Sequence, residues 1–176
     1  MNRVHSTVLA LATALMLTGC GSVAGQSTEP GPVAFEADRA ASDGATVFVD
    51  GTATLSGQLA IAVVARGAKE LHGAAFRITY DPDALGFVDA TPGPGWSKTS
   101  LAIVKEAAPG LLLVTWTEKG EAAIDATSDT VLGHITFTVK GRKASPIAFK
   151  VERSQLVDKR GAKLAATWRG GTLAAR

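Results

Sequence analysis

A β-strand and the turn that ends it can be read from residues 74–82, Ala74-Ala75-Phe76-Arg77-Ile78-Thr79-Tyr80-Asp81-Pro82. Apolar side chains occupy the even positions from 74 to 80, and Ala75, Arg77 and Thr79 lie between them. Because successive side chains of a strand point to opposite faces, the even set is predicted to face a core and the odd set water. Asp81-Pro82 then ends the strand, since proline donates no ladder hydrogen bond and restricts the residue before it.

The same period of two recurs at residues 131–140 and 147–152. The side chains predicted to face the core are apolar or glycine: Val131, Gly133, Ile135, Phe137, Val139, Ile147, Phe149 and Val151. The side chains predicted to face water are mostly polar: Leu132, His134, Thr136, Thr138, Lys140, Ala148, Lys150 and Glu152. Both segments are therefore predicted to be half-buried strands.

Further strands are predicted wherever short apolar runs lie between turn residues. They cover residues 45–50, 58–66, 85–90, 101–104, 111–117 and 164–168. Turn dipeptides such as Asp50-Gly51, Pro109-Gly110 and Lys140-Gly141 separate them. No segment sustains a helical apolar stripe. About nine short strands of this kind predict an all-β sandwich, in which two sheets face each other across one core.

The N-terminus has the layout of a secretory signal peptide: Arg3, an apolar run from Val8 to Leu17, and small residues before Cys20. The run is shorter than the ~20 residues that span a bilayer. Leu17-Thr18-Gly19-Cys20 holds the only cysteine of the chain and resembles the lipobox of bacterial lipoproteins. That resemblance implies that Cys20 is acylated and becomes the first mature residue. The alternative is an ordinary signal peptide, with Cys20 an incidental thiol.

Three segments follow from this reading: a signal peptide at 1–19, a flexible tether at 20–44 and a β-sandwich domain at 45–176. Residues 21–32 have linker composition, with little to bury. The predicted location is a membrane-anchored lipoprotein outside the cytoplasm, on the outer membrane or cell surface. Removal of the signal peptide takes away Arg3 and leaves 17 Lys and Arg against 16 Asp and Glu. This nearly neutral balance does not favour binding to nucleic acid.

Three motifs of the predicted domain resemble the cohesin family. They are a Phe-led strand with Tyr-Asp-Pro and Leu at residues 71–85, the strand at 131–139, and the closing segment at 156–173 with Gly170-Gly171. The resemblance implies a nine-stranded jelly-roll sandwich that binds dockerin modules through the outward face of one sheet. On this chain that face would hold Ala75, Arg77, Thr79, Thr115, Thr117, His134 and Thr136. Many dockerin-binding cohesins have Asn or Asp where this chain has Gly73 and Ala75.

The sequence displays no catalytic or cofactor motif, so no enzyme activity, cofactor or metal is predicted. His72 is expected in a loop and His134 on an outward strand position, with nothing to pair them as metal ligands. Asp81 and Asp83 are interpreted as turn residues rather than as a cation loop or a catalytic carboxylate pair.

The three tryptophans test a glycan-binding alternative. Trp116 and Trp168 stand at alternate positions of their predicted strands together with other apolar residues. Both are therefore predicted to point into the core. Trp96 lies in a Gly-Pro loop, where it either offers one exposed ring to a polysaccharide or closes the end of the sandwich. The predicted function is an envelope lipoprotein that presents a non-catalytic protein-binding module to a dockerin-like or other envelope protein, linked to polysaccharide degradation. A carbohydrate-binding module and a structural envelope spacer are the alternatives.

Overall fold

The structure is a computed structural model that describes residues 34–39, 43–53 and 57–174. Cys20, the predicted signal peptide and the tether before Ala34 lie outside the described residues. Among residues 34–39, 43–53 and 57–174, no helix is long and apolar enough to cross a membrane.

The described residues form fourteen strands and one 3-10 turn, η1, at Val151–Arg153. The strands are, in chain order, β1 Ala34–Ala37, β2 Ala45–Ala53, β3 Gln58–Arg66, β4 Ala68–Thr79, β5 Leu85–Pro92, β6 Leu101–Ala108, β7 Leu111–Thr117, β8 Ile124–Ala126, β9 Thr130–Val139, β10 Ser145–Phe149, β11 Gln155–Asp158, β12 Lys163–Leu164, β13 Ala166–Arg169 and β14 Gly171–Ala174. The predicted bounds of β3 and β7 are confirmed, whereas β2, β5 and β6 extend further than predicted.

The strands form two sheets, and the all-β sandwich prediction is confirmed. The nine-stranded sheet follows the order β1-β14-β10-β4-β11-β12, with β7 and β8 also paired to β4 and β6 paired to β7. The five-stranded sheet follows the order β13-β2-β3-β9-β5. Short breaks divide the chain into more strands than the nine predicted. The 12-residue β4 lies at the centre of the larger sheet.

The core lies between the sheets and consists of the side chains that alternation turns inward. From β4, Phe76 and Ile78 are almost fully buried, and from β9 Ile135 and Phe137 are fully buried. The Phe76 ring meets the indole of Trp116 edge-on at 5.4 Å between centroids. Edge-to-face contacts of this kind add about 0.5–1.5 kcal/mol to the free energy gained by burial alone.

The domain begins earlier than the predicted boundary at residue 45. β1 lies inside the predicted tether and pairs antiparallel with β14, so that Phe35 is opposite Leu173. Two glycines make room for the Phe35 ring, because a Cβ at Gly171 would lie 2.4 Å from Phe35 Cζ and one at Gly51 2.7 Å from Cδ1. Residues 34–37 therefore belong to the sandwich and not to the tether.

Three predicted side-chain orientations are wrong, and all lie at irregularities of the ladder. Val131 was predicted in the core but is half-buried and lines the outer surface of the five-stranded sheet together with His134. Leu132 was predicted to face water but is fully buried, because the pairing of β3 with β9 shifts register between Val63 and Val64. Such a bulge turns the extra residue to the other face. Val151 was predicted in the core but is 55% exposed, because the chain leaves the strand after Phe149 and enters η1.

Candidate functional site

The outward surface of β4, β6 and β7 is the candidate binding site and is called here the β4–β7 face. Since Ala74, Phe76 and Ile78 point into the core, the residues between them point outward. The register of the three strands extends the face to their partners. Its residues are Gly73, Ala75, Arg77 and Thr79 of β4, Leu111, Leu113, Thr115 and Thr117 of β7, and Leu101, Ile103 and Lys105 of β6.

Cross-strand pairing arranges the β4–β7 face in rows. In one row Ile103 lies opposite Thr115, which lies opposite Ala75. β11 extends the row on the far side of β4, where Gln155 pairs with Ala75. The next row on one side joins Leu101, Thr117, Gly73 and Val157, and the next on the other side joins Lys105, Leu113 and Arg77.

A shallow depression of about 160 Å³ lies in the first two rows. Gly73 and Ala75 contribute almost no side chain there, and Thr115, Thr117, Gln155 and Val157 also line it. At Gly73 an added Cβ would lie 2.9 Å from Val157 Cγ2. Val157 and Thr117 therefore leave no room for a side chain at residue 73, and the depression lies beside Ala75, whose side chain is a single methyl group.

Hydrogen bonds to the backbone fix several side chains around the face. Thr117 Oγ1 donates to the His72 carbonyl at 3.2 Å, and Thr79 Oγ1 donates to the Ala148 carbonyl at 3.2 Å. The Arg77 N–H donates to Ser154 Oγ at 3.4 Å, which ties β4 to the end of η1. Arg77 itself is half-buried, and a side chain of this kind packs its aliphatic stem on apolar surface while its charged head stays in water.

The predicted binding residues do not all lie on one surface. Arg77, Thr79 and Thr115 lie together on the β4–β7 face, as predicted. His134 and Thr136 lie on β9 of the five-stranded sheet, where they pair with Ala62 and Ala60 and face away on the opposite side of the sandwich. Alternation correctly places both side chains outward, but the period of two carries no information on which sheet a strand joins.

The β4–β7 face also contains apolar side chains that the sequence did not single out. Leu101 is 40% and Ile103 53% exposed on β6, which pairs only with β7 among the described strands. In β6 both the odd-numbered and the even-numbered positions hold mostly apolar residues. The alternation of residue types therefore could not predict which side chains face outward.

The exposed-ring reading of Trp96 is wrong. Trp96 is only 7% exposed, and its indole Nε1 donates to the Leu132 carbonyl at 2.6 Å. The same carbonyl accepts from the Gly93 N–H at 2.8 Å, so the bulge at Leu132 anchors the loop over the end of the sandwich. A buried indole offers no ring face to a sugar. Trp116 is fully buried as predicted, and Trp168 is half-buried against Phe149.

His72 was predicted to lie in a loop, but it lies in β4. Its Nδ1 donates to the Ala122 carbonyl at 2.7 Å, since a carbonyl oxygen can only accept. Across residues 34–39, 43–53 and 57–174, no group of three or more His, Cys, Asp or Glu side chains could hold a metal ion.

The turn interpretation of Asp81 and Asp83 is confirmed. Asp81 Oδ1 accepts from the Asp83 N–H at 2.9 Å, and the Asp81 carbonyl accepts from the Ala84 and Leu85 N–H groups. Lys143 Nζ lies 2.6 Å from Asp81 Oδ2. The hydrogen bond from Lys143, followed by that from the Asp83 N–H, lowers the pKa of Asp81.

The residue before this turn, Tyr80, has a second polar contact at the edge of the sandwich. Its hydroxyl donates to Glu106 of β6. Burial, and then the hydrogen bond to Glu106, raise the pKa of Tyr80. Glu106 therefore faces the inner side of β6 and does not belong to the β4–β7 face.

The opposite surface has a larger depression, of about 470 Å³, on the five-stranded sheet. Ala60, Ala62 and Val64 of β3 form part of its lining. The acidic residues at its rim are neutralised by arginines, since Arg66 pairs with Asp129 at 2.7 Å and Arg39 pairs with Asp50 at 2.6 Å.

Comparison with known proteins identifies the family. Residues 42–167 match the profile of the cohesin domain. No curated protein sequence matches the chain.

Solved cohesin structures share the fold at low sequence identity. The sixth cohesin of scaffoldin B from Acetivibrio cellulolyticus, solved with a mutant dockerin, is 15% identical with a TM-score of 0.66, over 76% of this chain and 100% of that one. A non-cellulosomal cohesin from the hyperthermophilic archaeon Archaeoglobus fulgidus is also 15% identical, with a TM-score of 0.59 over 76% and 93%. The cohesin module of a family 33 glycoside hydrolase from Clostridium perfringens is 14% identical, with a TM-score of 0.58 over 75% and 94%. With its profile match spanning most of the sandwich, the chain belongs to the cohesin domain family.

Proposed function

We propose that this protein is an envelope lipoprotein whose sandwich is a non-catalytic module that binds a protein partner through the β4–β7 face. The observation that carries the proposal is the composition of that face. Exposed Leu101 lies beside Thr117, exposed Ile103 lies beside Thr115, and Arg77 lies on the same face in the next row. Exposed apolar side chains grouped with polar neighbours mark interaction sites, and arginine is enriched where binding energy concentrates.

Membership of the cohesin family supports a dockerin-like partner. Two solved relatives were determined in complex with dockerins, one from Acetivibrio cellulolyticus and one from Clostridium thermocellum. The Clostridium perfringens relative is a module of a glycoside hydrolase, which supports a setting of polysaccharide degradation. Gly73 and Ala75 lack the polar groups of many dockerin-binding cohesins, so the contacts of this chain with its partner would differ from theirs.

The lipid anchor is proposed from the sequence alone. Acyl chains contribute about 0.8 kcal/mol per buried methylene, so several chains on Cys20 would hold the protein durably on a membrane. The tether that follows would let the sandwich reach partners away from the lipid surface.

Capture from envelope extract tests this function. Wild-type protein is compared with Arg77→Glu, which reverses a charge on the β4–β7 face, and with His134→Glu, which adds a charge on the opposite sheet. We expect a protein retained by wild type and by His134→Glu but lost with Arg77→Glu. Retention by all three, or loss only with His134→Glu, would contradict the proposed face. The absence of any retained protein would favour the structural spacer.

A further inference from the structure

The depression beside Ala75 indicates what the partner must present. We infer that the partner inserts an aliphatic side chain into this depression and places a carboxylate beside Arg77 and Lys105. This inference rests on the proposed function and specifies the chemistry of the partner at the same face.

The floor of the depression offers an incoming group nothing polar to bind. Gly73 and Ala75 have no side-chain donor or acceptor, and their backbone groups lie in the ladders that join β4 to β7 and β11. A hydroxyl or amide buried there would lose its water and find hydrogen-bonding side chains only at the walls, in Thr115, Thr117 and Gln155, so that any hydrogen bond left unmade on the floor is costly. An aliphatic group loses no hydrogen bond and gains contact with Val157 and with the methyl groups of Ala75 and the threonines.

Apolar surface continues from the depression to the edge of the sheet. Ile103 lies two strands from Ala75 in the same row, with Thr115 between them. Leu101 occupies the equivalent place in the Gly73 row. A partner segment that lies across these rows would bury both exposed side chains together with the group in the depression, so several apolar contacts would form at once.

The charge of the face determines the second requirement. Arg77 and Lys105 lie on either side of Leu113, and none of the residues of the β4–β7 face is acidic. Neither cation has an ion-pair partner within the part of the chain that the structure describes. η1, which packs beside β4, and the residue before it add Arg153 and Lys150 against the single acid Glu152. A carboxylate on the partner would complement this local positive charge and steer its approach.

Selection of binders from a random peptide library on the purified full-length protein in detergent tests the inference, because it does not presuppose the natural partner. We expect the enriched peptides to combine Leu, Ile, Val or Met with Asp or Glu. The affinity of labelled enriched peptides is then measured against variants of the protein. Peptides enriched instead in hydroxyl or basic residues would overturn the inference.

The decisive variant is Ala75→Leu, which fills the depression from within. Its matched control is Ala62→Leu, the same change in the depression of the opposite sheet. Ala75→Leu is expected to weaken peptide binding by about ten-fold or more, the effect of losing one buried aliphatic side chain, and Ala62→Leu to leave it unchanged. Arg77→Glu is expected to weaken binding similarly. If Ala75→Leu lowers the melting temperature of the protein, Thr115→Leu is used in its place, because it fills the same depression from its wall. The same loss of peptide binding is expected.

The outcomes separate the two proposals. If peptide binding is lost with Arg77→Glu but is unchanged with Ala75→Leu and Thr115→Leu, the inference is overturned, whereas the proposed binding through the β4–β7 face still holds. Peptides that bind every variant equally, or a selection without enrichment, would contradict both the inference and the proposed function.

Discussion

The indole of Trp116 lies directly against the backbone of Gly133, on the opposite sheet. A Cβ at Gly133 would lie 2.2 Å from Trp116 Cη2 and 2.6 Å from Cζ2. Real Cβ atoms do not approach other atoms so closely, so the absence of a side chain at residue 133 sets the spacing of the two sheets at this point. The largest fully buried side chain of the core is thus accommodated by the residue with none.

Gly133→Ala should destabilise the domain by about 1–3 kcal/mol through overpacking, measured as the free energy of unfolding in urea. The second change Trp116→Phe should recover part of the loss, because it removes the ring atoms that clash. Recovery should stay incomplete, since the Thr91 carbonyl oxygen also lies 2.6 Å from the added Cβ. Gly141→Ala, where nothing lies within 4 Å, is the control and should have little effect. Equal effects of the two alanine substitutions would contradict the proposed packing.

Phe76→Ala and Arg77→Ala should differ sharply in stability although the residues are adjacent. Phe76 is 2% exposed and contacts the rings of Trp116 and Phe149, so its truncation should cost about 3–5 kcal/mol. Arg77 points outward, and its truncation should cost about 0.5 kcal/mol or less. Thermal or urea unfolding of the two variants measures the difference. Similar losses would show that the phase of β4 is wrong.

Lys143→Met should raise the pKa of Asp81 toward the ordinary value of about 4. The rise should be incomplete, because the hydrogen bond from the Asp83 N–H remains. A carboxyl whose pKa is lower in the folded state stabilises the fold above its unfolded pKa, and this contribution is lost as the pH falls through the folded value. Wild type should therefore lose more stability than the variant on acidification below about pH 4. Carbon-detected NMR titration measures the pKa, and Lys98→Met is the control. An Asp81 pKa that is the same in Lys143→Met as in wild type would contradict the ion pair between Lys143 and Asp81.

Cys20→Ser tests the lipid anchor. Wild type should incorporate a radiolabelled fatty acid and remain with the membrane fraction, whereas the variant should lose the label and appear as an unprocessed or released form. Unchanged labelling and membrane retention in the variant would refute Cys20 as the attachment site.

The sequence predicted the class of fold because period-two alternation reports directly on side-chain burial. It predicted the inward faces of β4 and β7 correctly for that reason. It failed at Val131, Leu132 and Val151, where a bulge and a 3-10 turn interrupt the period. β1 was missed because a four-residue strand is too short to show a period, and its place depends on Gly51 and Gly171, which are distant in sequence.

The binding face could be predicted only in part. Arg77 and Thr115 lie together because β4 and β7 pair, but His134 belongs to the other sheet, and pairing between distant strands is not encoded in either strand's own pattern. Trp96 was open to two interpretations because a loop in sequence can either project into solvent or fold back. The carbonyl that binds its indole belongs to Leu132, 36 residues further along the chain.

Hydroxyl-radical footprinting of the protein with and without its captured partner tests the central claim most directly. The method labels exposed aliphatic side chains, and the chain has such probes on both surfaces: Leu101 and Ile103 on the β4–β7 face and Val88, 48% exposed, on β5 of the other sheet. Binding through the β4–β7 face predicts that the partner lowers labelling of Leu101 and Ile103 and leaves Val88 unchanged. Protection of Val88 with undiminished labelling of Leu101 and Ile103 would contradict the account.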